Sequence, residues 1–219
     1  MAASHKATVK QAGAAFSRQA VVLDICERAF VCIVFFRFAW LMLSGAARSA
    51  NFLDGLLVVS EAMPFVLIML RGRSETLSRR PADWLLGMAG VMLPLLVQPA
   101  VVVPLVPANI CFFIMVLGMF TQFAAKVVLG RSFGVIAANR GVVTLGPYRF
   151  IRHPMYLGYT VTHIGFLLSM PTAATALLYA TTLGVQIWRI LGEENVLMLD
   201  EAYRTFAKRV RFRLLPGVF

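Results

Sequence analysis

The strongest constraint on this chain is a succession of apolar segments, each close to the length that crosses a lipid bilayer. Six can be marked, at residues 29–47, 52–70, 84–103, 108–128, 155–170 and 172–191, and a spanning helix needs about 20 mostly apolar residues. Lipid cannot satisfy free backbone N–H and C=O groups, so such segments are expected as helices. The composition agrees: 59% of the 219 residues are hydrophobic and 14% charged, against about 45–50% and about 25% in soluble domains. The expected fold class is an all-α integral membrane protein with about six transmembrane helices paired in hairpins. A C-terminal amphipathic helix follows the last of them.

Charge orients this bundle. Lys6, Lys10, Arg18 and Arg28 precede the first segment; Arg71, Arg73, Arg79 and Arg80 follow the second. Arg131, Arg140, Arg149 and Arg152 follow the fourth, with Lys126 at its end, whereas no Lys or Arg lies between segments three and four or five and six. Cytoplasmic loops carry the excess of basic residues, so both termini and the loops after segments two and four are expected in the cytoplasm. The net charge of +11 is thereby accounted for without nucleic acid as a partner. The basic N-terminus holds no apolar core of the kind a signal peptide needs and reads as a cytoplasmic tail. Short loops and the lack of a eukaryotic sorting signal point to a bacterial inner membrane. Cys26, Cys32 and Cys111 lack the paired spacing of a zinc or disulfide framework and read as small buried apolar residues. No metal is expected.

Three ionisable residues, Arg37, Asp54 and Glu61, fall at membrane depth, and Pro64 and Pro94 interrupt apolar runs. Such groups turn toward the bundle interior. Either they form a substrate or proton path, or Arg37 pairs with Glu61 or Asp54 to fix helix packing, and the pairing is the simpler expectation.

The long cytoplasmic stretch at residues 129–158, LGRSFGVIAANRGVVTLGPYRFIRHPMYLG, concentrates turn formers and basic groups. Gly146-Pro147 marks a turn and His153-Pro154 a second break, since the residue before proline is pushed out of helical geometry. Pro154 suits the first position of a helix, which leaves His153 at its N-terminus. A helix N-terminus attracts anionic groups such as a carboxylate, and Tyr148 and Tyr156 beside it offer hydroxyls or aromatic faces. Singly, these residues also read as positive-inside anchors, interfacial aromatics and a capping group.

Downstream, residues 189–216 are expected to leave the last span as a helix. Val196, Leu199, Tyr203, Phe206 and Val210 line its apolar face, and Asp200, Glu201, Arg204, Lys208 and Arg211 the polar one, the pattern of a helix along a membrane surface. Arg189 and Glu193, four apart, share a face with Glu194 beside them, either as a plain salt bridge or as groups that reach under the 129–153 loop.

Together, LGRSFG, RGVVTLGPYRFIRHPMYLG, R-x-x-x-E-E and the Tyr-containing helix ending in KRV resemble the isoprenylcysteine carboxyl methyltransferase family and the related phospholipid methyltransferases. The resemblance covers residues 129–216. It implies a division into residues 1–128, a tail with four spans, and residues 129–219, a methyltransferase core of cofactor loop, two spans and C-terminal helix. It also implies S-adenosyl-L-methionine as cofactor, contacted by Arg140, Gly141, Val142, Val143, Tyr148, His153, Pro154, Met155, Tyr156, Glu193 and Glu194. Arg189 would hold the substrate and, with Glu193, carry catalysis. Phe133 departs from the polar contact expected in eukaryotic members, and RFRLLP follows KRV in place of a Pro-Gly turn.

The leading expectation is carboxyl O-methylation of a prenyl-cysteine-like or other amphiphilic acid. A carboxylate is already ionised and needs only placement, whereas a lipid amine or thiol must also lose a proton. Phospholipid or small-molecule N- or S-methylation is the alternative, and a non-catalytic lipid-binding membrane protein a third reading.

Overall fold

The computed structural model describes residues 18–49, 52–70, 81–130, 142–215 and 217–219, and all regular structure among them is helical. Seven α-helices follow in order: α1 Arg18–Ser49, α2 Phe52–Leu70, α3 Pro81–Met92, α4 Ala108–Leu129, α5 Pro154–Ser169, α6 Ala173–Leu197 and α7 Glu201–Arg209. Of these, α2 and α4 are long and apolar enough to cross a membrane.

The first helix begins well before its apolar segment, and Asp24 and Arg28 pair along one face of that extension at 2.9 Å. Arg28 also donates to the Met69 carbonyl at 2.7 Å, one of the end carbonyls of α2 that have no partner within their own helix. Pro64 does not break α2, which continues to Leu70.

The third segment departs from expectation. Helix α3 stops at Met92, a 3-10 turn spans Pro94–Leu96, and residues 97–107 are not helical. Pro94 lacks an N–H and its ring crowds the preceding turn, and Pro99, Pro104 and Pro107 prevent a restart until α4. The extended stretch is held by Leu105 donating to the Leu168 carbonyl at the end of α5, at 2.9 Å. Pairing differs too. Helix α1 packs on α2 as a hairpin should, but α3 packs against α6, and α4 lies closest to α5.

The α4–α5 seam depends on small residues. A Cβ on Gly158 would stand 2.5 Å from the Gln122 backbone nitrogen, and one on Gly118 2.5 Å from that of Thr162. Such backbone approach is open only to glycine. One apolar cluster, with Phe38, Met42, Leu57 and Phe166, fills the half away from the site. The other, with Ile68, Tyr156, Ile190, Phe206 and Val210, joins the spans to α7 and the C-terminal tail. Ile33, Trp40, Phe113 and Phe120 face outward.

Three side-chain expectations change. Cys26 is exposed and Cys32 half-buried, leaving Cys111 as the buried cysteine. Arg37 faces outward, while Glu61 meets His163 of α5 at 3.4 Å. The C-terminal helix is not continuous with α6: residues 198–200 turn, and the Asp200 carboxylate caps α7 by accepting from the Ala202 N–H at 2.8 Å. That local bond competes with helix continuation. Tyr203, Phe206 and Val210 are buried as the periodicity predicts, but Leu199 lies in the turn and is exposed.

Candidate functional site

The site is assembled where the chain re-enters the bundle at α5. Gly146, at φ 57°, opens a 3-10 turn over Gly146–Arg149, a backbone angle that glycine adopts without strain. Tyr148 is thereby buried among apolar neighbours. Burial, and next the Glu193 carboxylate, push its hydroxyl above the ordinary tyrosine range. His153 then takes the N-cap position and Pro154 the first turn of α5, the arrangement that the His-Pro pair predicts. The C-terminal tail docks on this break: Arg152 N–H donates to the Phe212 carbonyl at 2.9 Å and His153 N–H to that of Arg213 at 2.8 Å.

Glu194 ties these parts together. Its carboxylate accepts from Arg152 Nη1, from the Tyr203 hydroxyl at 2.6 Å and from Arg213 Nε at 3.4 Å, and it meets His153 Nε2 at 3.0 Å. Arg152 also donates to the Arg211 carbonyl at 3.0 Å. Burial alone would raise the Glu194 carboxyl, but the hydrogen bonds from His153 and Tyr203 and the nearby charges outweigh it and bring it down to about 2. Burial, and then the Glu194 hydrogen bond, raise Tyr203 well above its usual range.

Glu193 points elsewhere. It accepts from the Tyr156 hydroxyl at 2.6 Å, and its other oxygen lies 3.8 Å from His153 Nδ1. Arg189 approaches it at 3.9 Å and sits over the Tyr156 ring, 5.5 Å from its centre. Room for the guanidinium comes from Gly90 of α3, where a Cβ would stand 2.6 Å from Arg189 Nη1. Arg189 lines a small cavity of about 30 Å³ with Glu61, Met155, Tyr159 and Gln186.

The structure thus brings together Tyr148, His153, Pro154, Met155, Tyr156, Arg189, Glu193 and Glu194, with Val142 and Val143 half-buried against the same cluster. Arg140, Gly141 and Phe133 lie outside the described residues. Sequence reasoning missed three contributors. Arg152 reads in the sequence as a positive-inside anchor and Tyr203 only as part of an apolar face; both bond Glu194, in the group that Arg213 completes. One signal was available for Tyr203, the nine-residue spacing that lets a second helix fold back on Glu194; Arg213 carried none.

Residues 102–205 match the family model described as phospholipid methyltransferase. Protein-S-isoprenylcysteine O-methyltransferase A of Arabidopsis thaliana is 30% identical over 91 residues, 39% of this chain and 44% of that relative. The C-terminal half is related to these methyltransferases. The alignment to the plant protein spans less than half of either chain, and the match to the methyltransferase family begins at the extended stretch before α4, so α1 to α3 lie outside it.

The donor set of the methyltransferase-related half suits a small zwitterionic cation. The first turn of α5 offers N–H groups without helical partners to a carboxylate, and Glu193, a fifth exposed at its side chain, offers negative charge to an ammonium or sulfonium. Among the described residues no cluster of three His, Cys, Asp or Glu side chains could hold a metal ion.

Proposed function

We propose that this protein is an integral membrane enzyme that transfers a methyl group from S-adenosylmethionine to the head of a lipid-like, amphiphilic acceptor. The observation that carries the reading is the division of labour between neighbouring acids at one helix break. Glu194 is saturated by its partners and holds the tail, α7 and α5 together, whereas Glu193 stays accessible beside Tyr156 and Arg189.

The proposed topology puts both termini and the α5 break on the cytoplasmic side, with the third of six passages made by α3 and the extended stretch that follows it instead of by one helix. Helix α7, with Tyr203 and Phe206 inward and Arg204 and Lys208 exposed, lies along that surface. The proposed cofactor contacts are Arg140, Gly141, Val142, Val143, Tyr148, His153, Pro154, Met155, Tyr156 and Glu193, with Glu194 positioning His153.

Bound in that pocket, S-adenosylmethionine supplies an electrophilic methyl group. The chain contributes placement and the exclusion of water, which suffice for much of the rate when a nucleophile is held in line. Tyr156 fixes the Glu193 carboxylate through its 2.6 Å hydrogen bond, and Glu193 in turn holds the Arg189 side chain. Arg189 faces the acceptor cavity and holds an anionic part of the acceptor. If that part is the nucleophile itself, the reaction is carboxyl O-methylation of a prenyl-cysteine-like acid. A second reading, N- or S-methylation of a phospholipid-like acceptor, is favoured by one observation: Glu61 lines the same cavity, so a carboxylate nucleophile would face an acidic wall.

Labelled S-adenosylmethionine, incubated with the protein in nanodiscs and a panel of carboxylate, amine and thiol amphiphiles, tests the proposal. Mass analysis of a labelled product identifies the acceptor. Failure of every amphiphile, together with a melting temperature unmoved by saturating S-adenosylhomocysteine, would leave lipid binding without catalysis as the better reading.

A further inference from the structure

Behind the acceptor cavity lies a buried polar group that the placement of cofactor and Arg189 does not use. Glu61 of α2 forms part of the cavity wall and meets His163 Nε2 of α5 at 3.4 Å. His163 stacks on Tyr179 of α6, ring centres 4.4 Å apart, and on Tyr159 at 6.5 Å. His163 and Tyr179 also line a second cavity, of about 210 Å³, between α5 and α6. Gln186 belongs to both cavities and accepts from the Thr160 hydroxyl at 3.4 Å.

Among the described residues, charged and titratable groups face Glu61 from α4, α5 and α6. They are His163 and Tyr159 of α5, Lys126 of α4, and Tyr179 and Arg189 of α6. Lys126 is fully buried, donates to Gln122 Oε1 at 2.6 Å and stands 4.5 Å from the centre of the Tyr159 ring. Gln122 in turn donates to Ser60 at 2.8 Å.

We propose that Glu61, backed by His163, is the proton acceptor for methyl transfer at the Arg189 cavity, and that the cavity selects an acceptor whose nucleophile enters carrying a proton, a lipid amine. This rests on the reading that the acceptor's reacting group enters beside Arg189. The amine nitrogen forms a bond to the methyl carbon while the carbon–sulfur bond breaks, its electron pair staying on sulfur. Glu61 takes the proton that the amine gives up, and His163 passes it toward the second cavity. A helix outside the matched family region thereby supplies the group that distinguishes an amine from a carboxylate, since a carboxylate needs no base and is repelled by Glu61.

The test uses the full chain in nanodiscs with labelled S-adenosylmethionine and two probes, phosphatidylethanolamine vesicles and N-acetyl-S-farnesylcysteine. The wild type is expected to methylate the amine lipid. Glu61→Gln should lower turnover at neutral pH on the order of a hundredfold, with an unchanged melting shift on S-adenosylhomocysteine. Raising the pH, which delivers unprotonated amine, should restore much of the loss, and Glu61→Asp should recover part. Infrared pH titration provides a readout without turnover: a carboxyl band absent in Glu61→Gln should move in His163→Gln, and if Glu61→Gln fails to fold, the band that shifts in Glu61→Asp assigns it. Turnover of the farnesylcysteine alone, or of neither probe by a wild type that binds S-adenosylhomocysteine, overturns the inference but not the methyltransferase reading. So does a Glu61→Gln protein of wild-type turnover and pH profile. A wild type that binds no S-adenosylhomocysteine overturns both.

Discussion

At the scale of single residues, adjacent glutamates carry opposite duties, and substitution separates them. Glu194 is 3% exposed and surrounded by Arg152, His153, Tyr203 and Arg213. Glu194→Gln strands the buried guanidinium of Arg152 and should cost about 3–5 kcal/mol, whereas Tyr203→Phe removes one hydrogen bond to a charged group, about 1.5–3 kcal/mol. Chemical denaturation of both variants checks the order. The carboxyl of Glu194 is held at about 2, below its ordinary 4.5. Its stabilisation is therefore complete above the ordinary value and lost as pH falls from there toward about 2, so the acid limb of wild-type stability should flatten in Glu194→Gln. Glu193→Gln should leave stability nearly unchanged and raise the S-adenosylmethionine requirement. Arg189→Met should retain cofactor binding and lose on the order of 2–4 kcal/mol of barrier stabilisation. Kinetics on the two variants separate these roles: near-wild-type turnover in Arg189→Met removes it from the site. The R-x-x-x-E-E spacing made Arg189 and Glu193 legible as neighbours, because helical periodicity alone puts them on one face. It could not show which glutamate is buried, since that is decided by Tyr203 and a tail folding back from beyond α7. His153 and Tyr148 stand at the break that precedes α5, yet both are buried, so their Ala variants must be read against a stability control.

Among elements, local signals located α5 well and α3 poorly. His153-Pro154 starts α5 where proline geometry demands, and Gly146-Pro147 makes its turn. The third apolar run looked like a span because hydropathy does not register that Pro94, Pro99 and Pro104 remove N–H donors. Contacts such as His163 to Glu61, 102 residues apart, leave no periodic trace in a sequence. The α4–α5 seam yields a sharp prediction. Gly158→Ala drives a methyl into the Gln122 backbone, which a flexible side chain cannot relieve, and should cost about 1–3 kcal/mol. A Cβ at Gly184, in α6, meets nothing within 4 Å, so Gly184→Ala should be neutral or stabilise by up to about 1 kcal/mol. Thermal melts of the two proteins in the same lipid should shift in opposite directions or differ by that margin.

For the whole molecule, a helix bundle, a helix break and a folded-back tail meet at one site. The charge pattern predicts that reporter fusions after α2, after α4 and at the C-terminus all report the cytoplasm. A reporter at residues 129–153 found on the far side would separate the site from a cofactor made in the cytosol. The central claim is that this pocket binds S-adenosylmethionine, and equilibrium titration of the nanodisc-held protein with S-adenosylhomocysteine tests it most directly. The account predicts saturable binding by the wild type, weakened at least about tenfold, about 1.4 kcal/mol, in Glu193→Gln, with Arg189→Met close to wild type. Absence of binding by a folded wild type, or equal affinity in Glu193→Gln, would contradict it.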